Sequence, residues 1–339
     1  MHLLNYFIVF IIFLGKFSFV NASVLEKVKE RGYLKCGISE PLVGFADVDD
    51  NNEWFGFDVD ICRSVATSIF GDPNKVEFTT TTNRSRFPML ASEEIDLLSR
   101  VTTWTFSRDV NLSFEFAGVN FYDGLAFMTK SSLNISSTKE LDGASICIVP
   151  ESSTAFYVNQ FFFNNNINYN SVDVELDDEA YENFISGRCD VYVNFITSLA
   201  NKRLMTSNSN QFVIHPELIS KEPLGVVVRH GDSHWKDIVF WSLNVMIIAE
   251  ELGLNSKNVD NFYVDDLEND EISRMLGLVG AYGDMIELEE EWAFNIIKYI
   301  GNYQEIYDKN LGSKSPLNIP RGLNNLYNNG GLLYSPPFK

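Results

Sequence analysis

The chain has 339 residues, 45% of them hydrophobic and 14% aromatic, which is enough apolar material for one large core or two ordinary ones and excludes a disordered chain. Lys plus Arg total 26 against 46 Asp plus Glu, a formal net charge of −20. That balance excludes nucleic acid and anionic membrane surfaces as partners, since both require basic patches.

The chain opens with the apolar run "LLNYFIVFIIFLGKFSFVNAS", and Val20-Asn21-Ala22 resembles a small-residue cleavage site. The stretch ahead of Lys16 falls short of the roughly 20 residues a bilayer span needs. Residues 1–22 are therefore expected to be a cleaved signal peptide that sends the protein to the periplasm, an uncleaved anchor being the alternative. Next, "YLKCGIS" reads as a strand, "DVDICRSVATSIFG" as a helix ending at Gly71, and "KVEFTTT" as a strand. "RSRFPMLASEE" follows as a helix interrupted near Pro88, and "IDLLS" as a strand. This β-α-β-α-β order implies a parallel sheet covered by helices.

"GVNFYDGLAFMTK" (118–130) is extended and suited to crossing into a second lobe. There the plan repeats: strand "ASICIVP", helix "STAFYVNQFFFNNN", strand "VDVELD", helix "DEAYENFISGR", strand "CDVYVNF". "EPLGVVVRHGD" (222–232) reads as the return crossing, and the C-terminal third is helical. The expected fold class is α/β with two lobes and two hinge crossings. Lobe 1 is residues 23–122 plus 226–339, and lobe 2 is residues 123–225. Ligands settle beyond the carboxyl ends of strands in such sheets, where "LSRVTTWTFSRD" (98–109) sets two arginines among hydroxyl side chains.

Four cysteines are present, Cys36, Cys62, Cys147 and Cys189, with no C-x-x-C pair to suggest zinc or redox chemistry. In an exported chain an even number implies two disulfides. Pairing within each neighbourhood, 36 with 62 and 147 with 189, is the expectation, and four buried free thiols are the alternative. His230 and His234 flank Asp232, but Gly231 interrupts the spacing, so "HGDSH" reads as a loop before the helix "WKDIVFWSLN" and no metal is expected. "ELEEEW" (287–292) reads as a charged helix face. No nucleotide, dinucleotide or G-x-S-x-G pattern occurs, so no cofactor is implied.

In order along the chain, "GFDVDICRSVA", "SRVTTWTFSRD", "DGLAFMTKSSLNISSTKELDGASICIV", "SGRCDVY" and "ISKEPLGVVVRHGDSHWKDIV" resemble the polar amino-acid-binding proteins of ABC importers. The tail segments "WAFNIIKYIGNYQEIYDKNLG" and "SPLNIPRGLNNLYNNGGLLYSPP" resemble the general L-amino-acid-binding branch. The resemblance runs from about Val24 to the C-terminus. It implies the type II periplasmic-binding-protein fold, a monomer that closes on a free amino acid, and delivery to a membrane permease.

The resemblance also assigns residues. Arg108 stands where such proteins fork the ligand carboxylate, a bidentate match, and Thr103 adds a hydroxyl and backbone contact, with Thr102 beside it. Ser152, Ser153 and Thr154 open a helix whose free N–H groups favour the same anion. Arg100 faces the cleft or holds the strand end. Phe45 and Trp104 are candidate walls for the ligand's side chain, with core packing as the alternative. After "GRCDVY" the family supplies an Asp for the ligand ammonium, but this chain has Phe195; Glu151 is the candidate replacement, a solvated carboxylate at a helix start being its plain alternative. A ligand without an amine, such as an organic acid, and a periplasmic dehydratase of the cyclohexadienyl type are the rival functions.

Overall fold

The computed structural model describes residues 22–339 except 112, 151, 207 and 266–269. The expected leader therefore falls, but for Ala22, outside the described residues, as does Glu151. Helix α1 (Val24–Arg31) starts where Ser23 and Glu26 exchange capping hydrogen bonds and stops at Gly32 in the left-handed region. Strand β1 (Leu34–Ser39) and the hairpin of β2 (Asp47–Val48) with β3 (Trp54–Phe55) lead to α2 (Phe57–Phe70). Gly56 enters that helix at φ +135°, and a Cβ there would lie 2.2 Å from the Phe45 carbonyl oxygen, so the turn needs glycine. Strand β4 (Val76–Thr81), α3 (Arg86–Ala91) and β5 (Leu97–Leu98) follow the alternation read from the sequence, with β5 cut to a short stub, and a further short helix, α4 (Phe106–Asn111), comes after it.

Strand β6 (Phe114–Asp123) leaves the first sheet, and after Gly124 strand β7 (Leu125–Lys130) begins in a second one. The second lobe continues through β8 (Ala144–Ile148), α5 (Ser153–Asn165), β9 (Tyr169–Asp173), α6 (Asp177–Ser186), β10 (Val191–Phe195), α7 (Ile196–Leu204) and β11 (Phe212–Ile214). Strand β12 (Glu222–Arg229) then returns to the first sheet, ahead of α8 (Ser233–Glu251). Strand orders are β4-β1-β5-β12-β6 and β11-β7-β10-β8-β9. In each sheet the strands linked by helices pair in parallel, and the strands carrying the crossings pair antiparallel. Glu222, Pro223 and Leu224 already face Asp123, Tyr122 and Phe121, so the return strand joins the first sheet ahead of residue 226.

Strand β9 lies earlier than "VDVELD" suggested, because its register against β8 runs from Tyr169 to Asp173. The "ELEEEW" reading is corrected: Glu287 is left-handed, at φ 56°, and residues 287–291 form a turn before helix begins at Trp292. The tail adds α9 (Val259–Asp265), α10 (Asp270–Met275), α11 (Trp292–Tyr299) and α12 (Tyr303–Asn310) to the first lobe.

The first core is aromatic at its centre. Phe57 meets Phe45, Phe121, Tyr303 and Tyr307 edge-on, with centroids 5.6 to 6.5 Å apart. The second sheet is covered on both faces, by Phe127, Val158 and Phe162 on one and Met128, Phe184 and Phe212 on the other. Phe127 and Met128 are neighbours in β7, so the strand's alternation feeds both cores. The disulfides are Cys36–Cys62, joining β1 to α2, and Cys147–Cys189, joining β8 to the turn before β10, the pairing expected from the sequence. Among the described residues no helix is long and apolar enough to cross a membrane.

Candidate ligand-binding site

Where β5 stops, the chain turns at Val101, a β-branched residue at φ +34°, which is an unfavourable conformation that its surroundings must enforce. Asp58, buried in the first turn of α2, does so from beside the sheet. Its Oδ2 accepts the Val101 N–H at 3.1 Å, and its Oδ1 accepts the Ser99 hydroxyl at 2.8 Å and the Asn120 amide at 3.4 Å. Burial pushes the Asp58 carboxyl up to about 6, against the opposing pull of these donors and of Arg100.

Beyond Val101 the chain is stitched to the return crossing. Gly225 N–H donates to Thr102 O at 3.0 Å and Trp104 N–H to Pro223 O at 2.7 Å, around a bridge between Thr103 and Leu224. This sets Thr103 and Arg108 beside the hinge. Arg108 Nη1 donates to Thr103 O at 2.7 Å, which folds the side chain back over α4. The guanidinium is partly buried, and burial draws its pKa down while Glu222 pulls it up.

Arg100 holds the strand end. Its Nε donates to Thr81 O at 3.0 Å and its Nη1 to Asn83 Oδ1 at 2.9 Å, tying β5 to the end of β4. Thr102 is fully buried, donates its hydroxyl to Arg100 O at 2.9 Å, and accepts from Arg86 Nη1 at 3.3 Å. Sequence patterns do not single out Arg86, which reads as an ordinary first residue of a short helix; only the tertiary contact with Thr102 brings it here. Asp58 was equally invisible, since a carboxylate in a helix's first turn has a sufficient local reason to be there.

The two candidate walls differ. Phe45 is only 1% exposed and packs edge-on against Phe57 and Phe121, so it belongs to the core and cannot line a cleft. Trp104 is half-buried with one face stacked on Phe116, at 5.1 Å and 6°, leaving only the remainder of the ring to meet a ligand.

Across the hinge, Ser152 caps α5 by accepting the Ala155 N–H at 3.1 Å, with Ser153 and Thr154 in the first turn. These residues follow β8, while Phe195 ends the neighbouring β10, so both stand at the carboxyl edge of the second sheet. Phe195 packs against the second-lobe core, and its N–H donates to Asn194 Oδ1 at 2.7 Å. Nearby Asp177 accepts from Tyr192 Oη at 2.8 Å and Asn194 Nδ2 at 3.0 Å, so its charge is already engaged. Among the described residues no hydrogen bond joins residues 100–108 to residues 152–195. The lobes touch instead through Asn201 Nδ2 and Val43 O, at 3.4 Å, and through Thr197 and Asp123 at the hinge, at 2.6 Å. His230 and His234 face separate carboxylates, Glu115 and Glu287, and among the described residues no group of metal-binding side chains assembles.

Comparison with known proteins fits this geometry. Residues 34–257 match the family described as "Bacterial extracellular solute-binding proteins, family 3". The chain is 44% identical over 319 residues to the glutamate/glutamine/aspartate/asparagine-binding protein BztA of Rhodobacter capsulatus, covering 94% of each chain. It is 44% identical over 324 residues to the general L-amino acid-binding periplasmic protein AapJ of Rhizobium johnstonii, covering 95% of this chain and 94% of the relative. Among solved structures it matches an ABC transporter/periplasmic binding protein from Brucella ovis with glutathione bound, at TM-score 0.83 and 45% identity, over 94% of this chain and all of that one.

Proposed function

This chain belongs to the bacterial extracellular solute-binding proteins of family 3, and on that footing we propose that it captures a free L-amino acid between its lobes outside the cytoplasm and hands it to an ABC permease. Its two lobes and paired hinge crossings are the type II arrangement of periplasmic binding proteins. In this reading the N-terminal leader directs export. Residues 23–123 with 222–339, and 124–221, are the two lobes that close on the ligand.

The observation that carries the reading is Arg108. Its guanidinium is held by one backbone carbonyl, makes no ion pair among the described residues, and stands beside Thr103 at a sheet's carboxyl edge. A ligand carboxylate completes it: two parallel N–H···O bonds from the fork, the Thr103 hydroxyl, and, on closure, the N–H groups at the start of α5 behind Ser152, Ser153 and Thr154. Trp104 flanks the ligand's stem. Phe195 offers the ammonium only a ring face, and Glu151 is the carboxylate this reading assigns to it. The protein binds without turnover.

Calorimetric titration of the mature chain with the free L-amino acids tests this. Micromolar or tighter binding of at least one is expected, lost in Arg108→Met. Binding unchanged in that variant, or no amino acid bound at all, overturns the reading. Incubation with arogenate or prephenate is expected to yield no aromatic product; steady formation of one would make the protein an enzyme.

A further inference from the structure

The family match ends at residue 257, and the tail beyond it reaches the two crossings as well as the first core. Four segments lie side by side there. Thr103 bridges Leu224 of β12, Leu224 pairs with Phe121 of β6, and the next β6 residue, Tyr122, is hydrogen-bonded through its backbone to the Asn324 side chain. The proposed ligand site and the tail therefore border opposite edges of the crossing strands. Between the tail and the second lobe is a cavity of about 440 Å³. Ile319 and Leu323 line it from the tail, Pro216 and Leu218 from the second lobe, and Gly124 and Ile196 at the pivot.

Each wall is tied to its own lobe. Ile319 is buried in the first core and donates its N–H to Leu311 O at 2.8 Å, and Arg321 is fixed by Glu250. Leu218 packs on the second-lobe core, where Ile219 N–H donates to Leu125 O at 2.8 Å and Ser220 Oγ accepts the Leu125 N–H at 2.9 Å. Among the described residues no hydrogen bond joins the two walls. A Cβ on Gly124 would lie 3.0 Å from Leu218 Cδ1, so the second-lobe wall rides directly over the pivot. Rotation that brings the second lobe onto Thr103 and Arg108 carries Leu218 away from Leu323. The opposite rotation drives it inward, against a segment whose packed anchor does not yield. We infer that residues 319–324 are a backstop behind the hinge, which limits how far the free protein opens and leaves closure unhindered. A limited opening keeps more of the free protein near the binding-competent geometry, which raises apparent affinity without any contact to ligand. The direction of closure rests on the ligand site proposed above; the limit on opening does not depend on what the ligand is.

Two spin labels report the opening, one at Glu77→Cys in β4 and one at Ser171→Cys in β9, exposed positions in the edge strands farthest from the crossings. Pulsed electron spin resonance on the full mature chain without ligand is expected to give a longer mean distance in Leu323→Ala, which trims the stop. Leu323→Trp advances the stop and is expected to give a shorter one. Leu323 is 40% exposed, so both variants should fold; Leu218→Ala trims the opposite wall and should act as Leu323→Ala does. Calorimetry with the tightest-binding amino acid should show affinity about threefold weaker in Leu323→Ala and about threefold stronger in Leu323→Trp. Label distances in the ligand-bound forms should be equal. Free-state distances that stay the same in all three variants overturn the backstop. If those distances shift as expected while no amino acid binds, the backstop stands and the amino-acid reading falls.

Discussion

Asp58 reaches across the first lobe to hold the Val101 N–H at 3.1 Å, so a helix residue fixes the strained turn between Arg100 and Arg108. The arrangement is indirect. Asp58 touches Ser99, Val101 and Asn120, and positions Arg100, Thr103 and Arg108 through the backbone between them. Strain at Val101 is stored where the chain must turn from sheet to site, as functional turns commonly require.

Removing the carboxylate should therefore cost both stability and binding. Asp58→Ala leaves several buried donors unpaired and frees Val101 to relax, a loss of about 2–4 kcal/mol in unfolding free energy. Asp58→Asn keeps one acceptor and should cost less. Denaturant unfolding and ligand titration of both variants check this; full affinity in Asp58→Ala would mean the turn holds without it.

Asp123 sits at the crossing itself, accepting the Thr197 hydroxyl at 2.6 Å and the Gly124 N–H at 2.8 Å. Burial, with Glu222 adding to it, pushes its carboxyl up to about 6. A raised pKa means the folded state keeps its proton after the unfolded chain has lost it. The Asp123 contribution to stability is therefore fully present below the unfolded value and lost as pH rises through about 4 to 6, by on the order of 2–3 kcal/mol. Asp123→Asn has no proton to lose, so relative to wild type it should gain stability between pH 4 and pH 7. A difference in melting temperature that stays constant over that range would rule this out.

The alternation of elements, the two crossings and both disulfide pairings were legible, because each follows from local periodicity or from the proximity of consecutive elements. The roles proposed for Arg108 and Thr103 rest on the ordered motif series alone. For Phe45 the core-packing alternative holds, because Phe57 and Phe121, from two other elements, close around it, and no local pattern shows that. Arg86 and Asp58 were missed because their roles lie in contacts 16 and 43 residues away, to Thr102 and Val101. No local pattern encodes such contacts.

The second-lobe disulfide joins β8 to the entry of β10, across 42 residues that include α5, β9 and α6. Cys147→Ser with Cys189→Ser should cost about 2–5 kcal/mol. Because the two lobes have largely separate cores, meeting at Ile196, Ala200 and Ile214, the loss should appear first as faster amide exchange in β8–β10, with β1 and β4 still protected. Uniform acceleration in both lobes would show that they unfold as one unit.

The C-terminal tail braces the hinge from behind. Asn324 accepts the Tyr122 N–H at 2.7 Å and donates to Tyr122 O at 3.0 Å, completing the outer side of β6, an edge strand, one residue before Asp123. Arg321 sets Asn324 in place: its Nε donates to Asn324 O at 2.8 Å, its Nη2 lies 3.1 Å from both Glu250 oxygens, and its guanidinium covers Tyr303 and Tyr307 at 5.2 and 5.0 Å. Asn324→Ala should cost about 1–3 kcal/mol, since it unpairs backbone groups at a covered edge. Arg321→Met strands a buried Glu250 and should cost about 3–5 kcal/mol. Because Arg321 acts partly through Asn324, the double variant should lose less than the sum of the two, by about 0.5 kcal/mol or more. Denaturant unfolding of the three proteins measures that difference. Strict additivity would show that Arg321 serves Glu250 and the tyrosines alone, and that Asn324 holds the edge unaided.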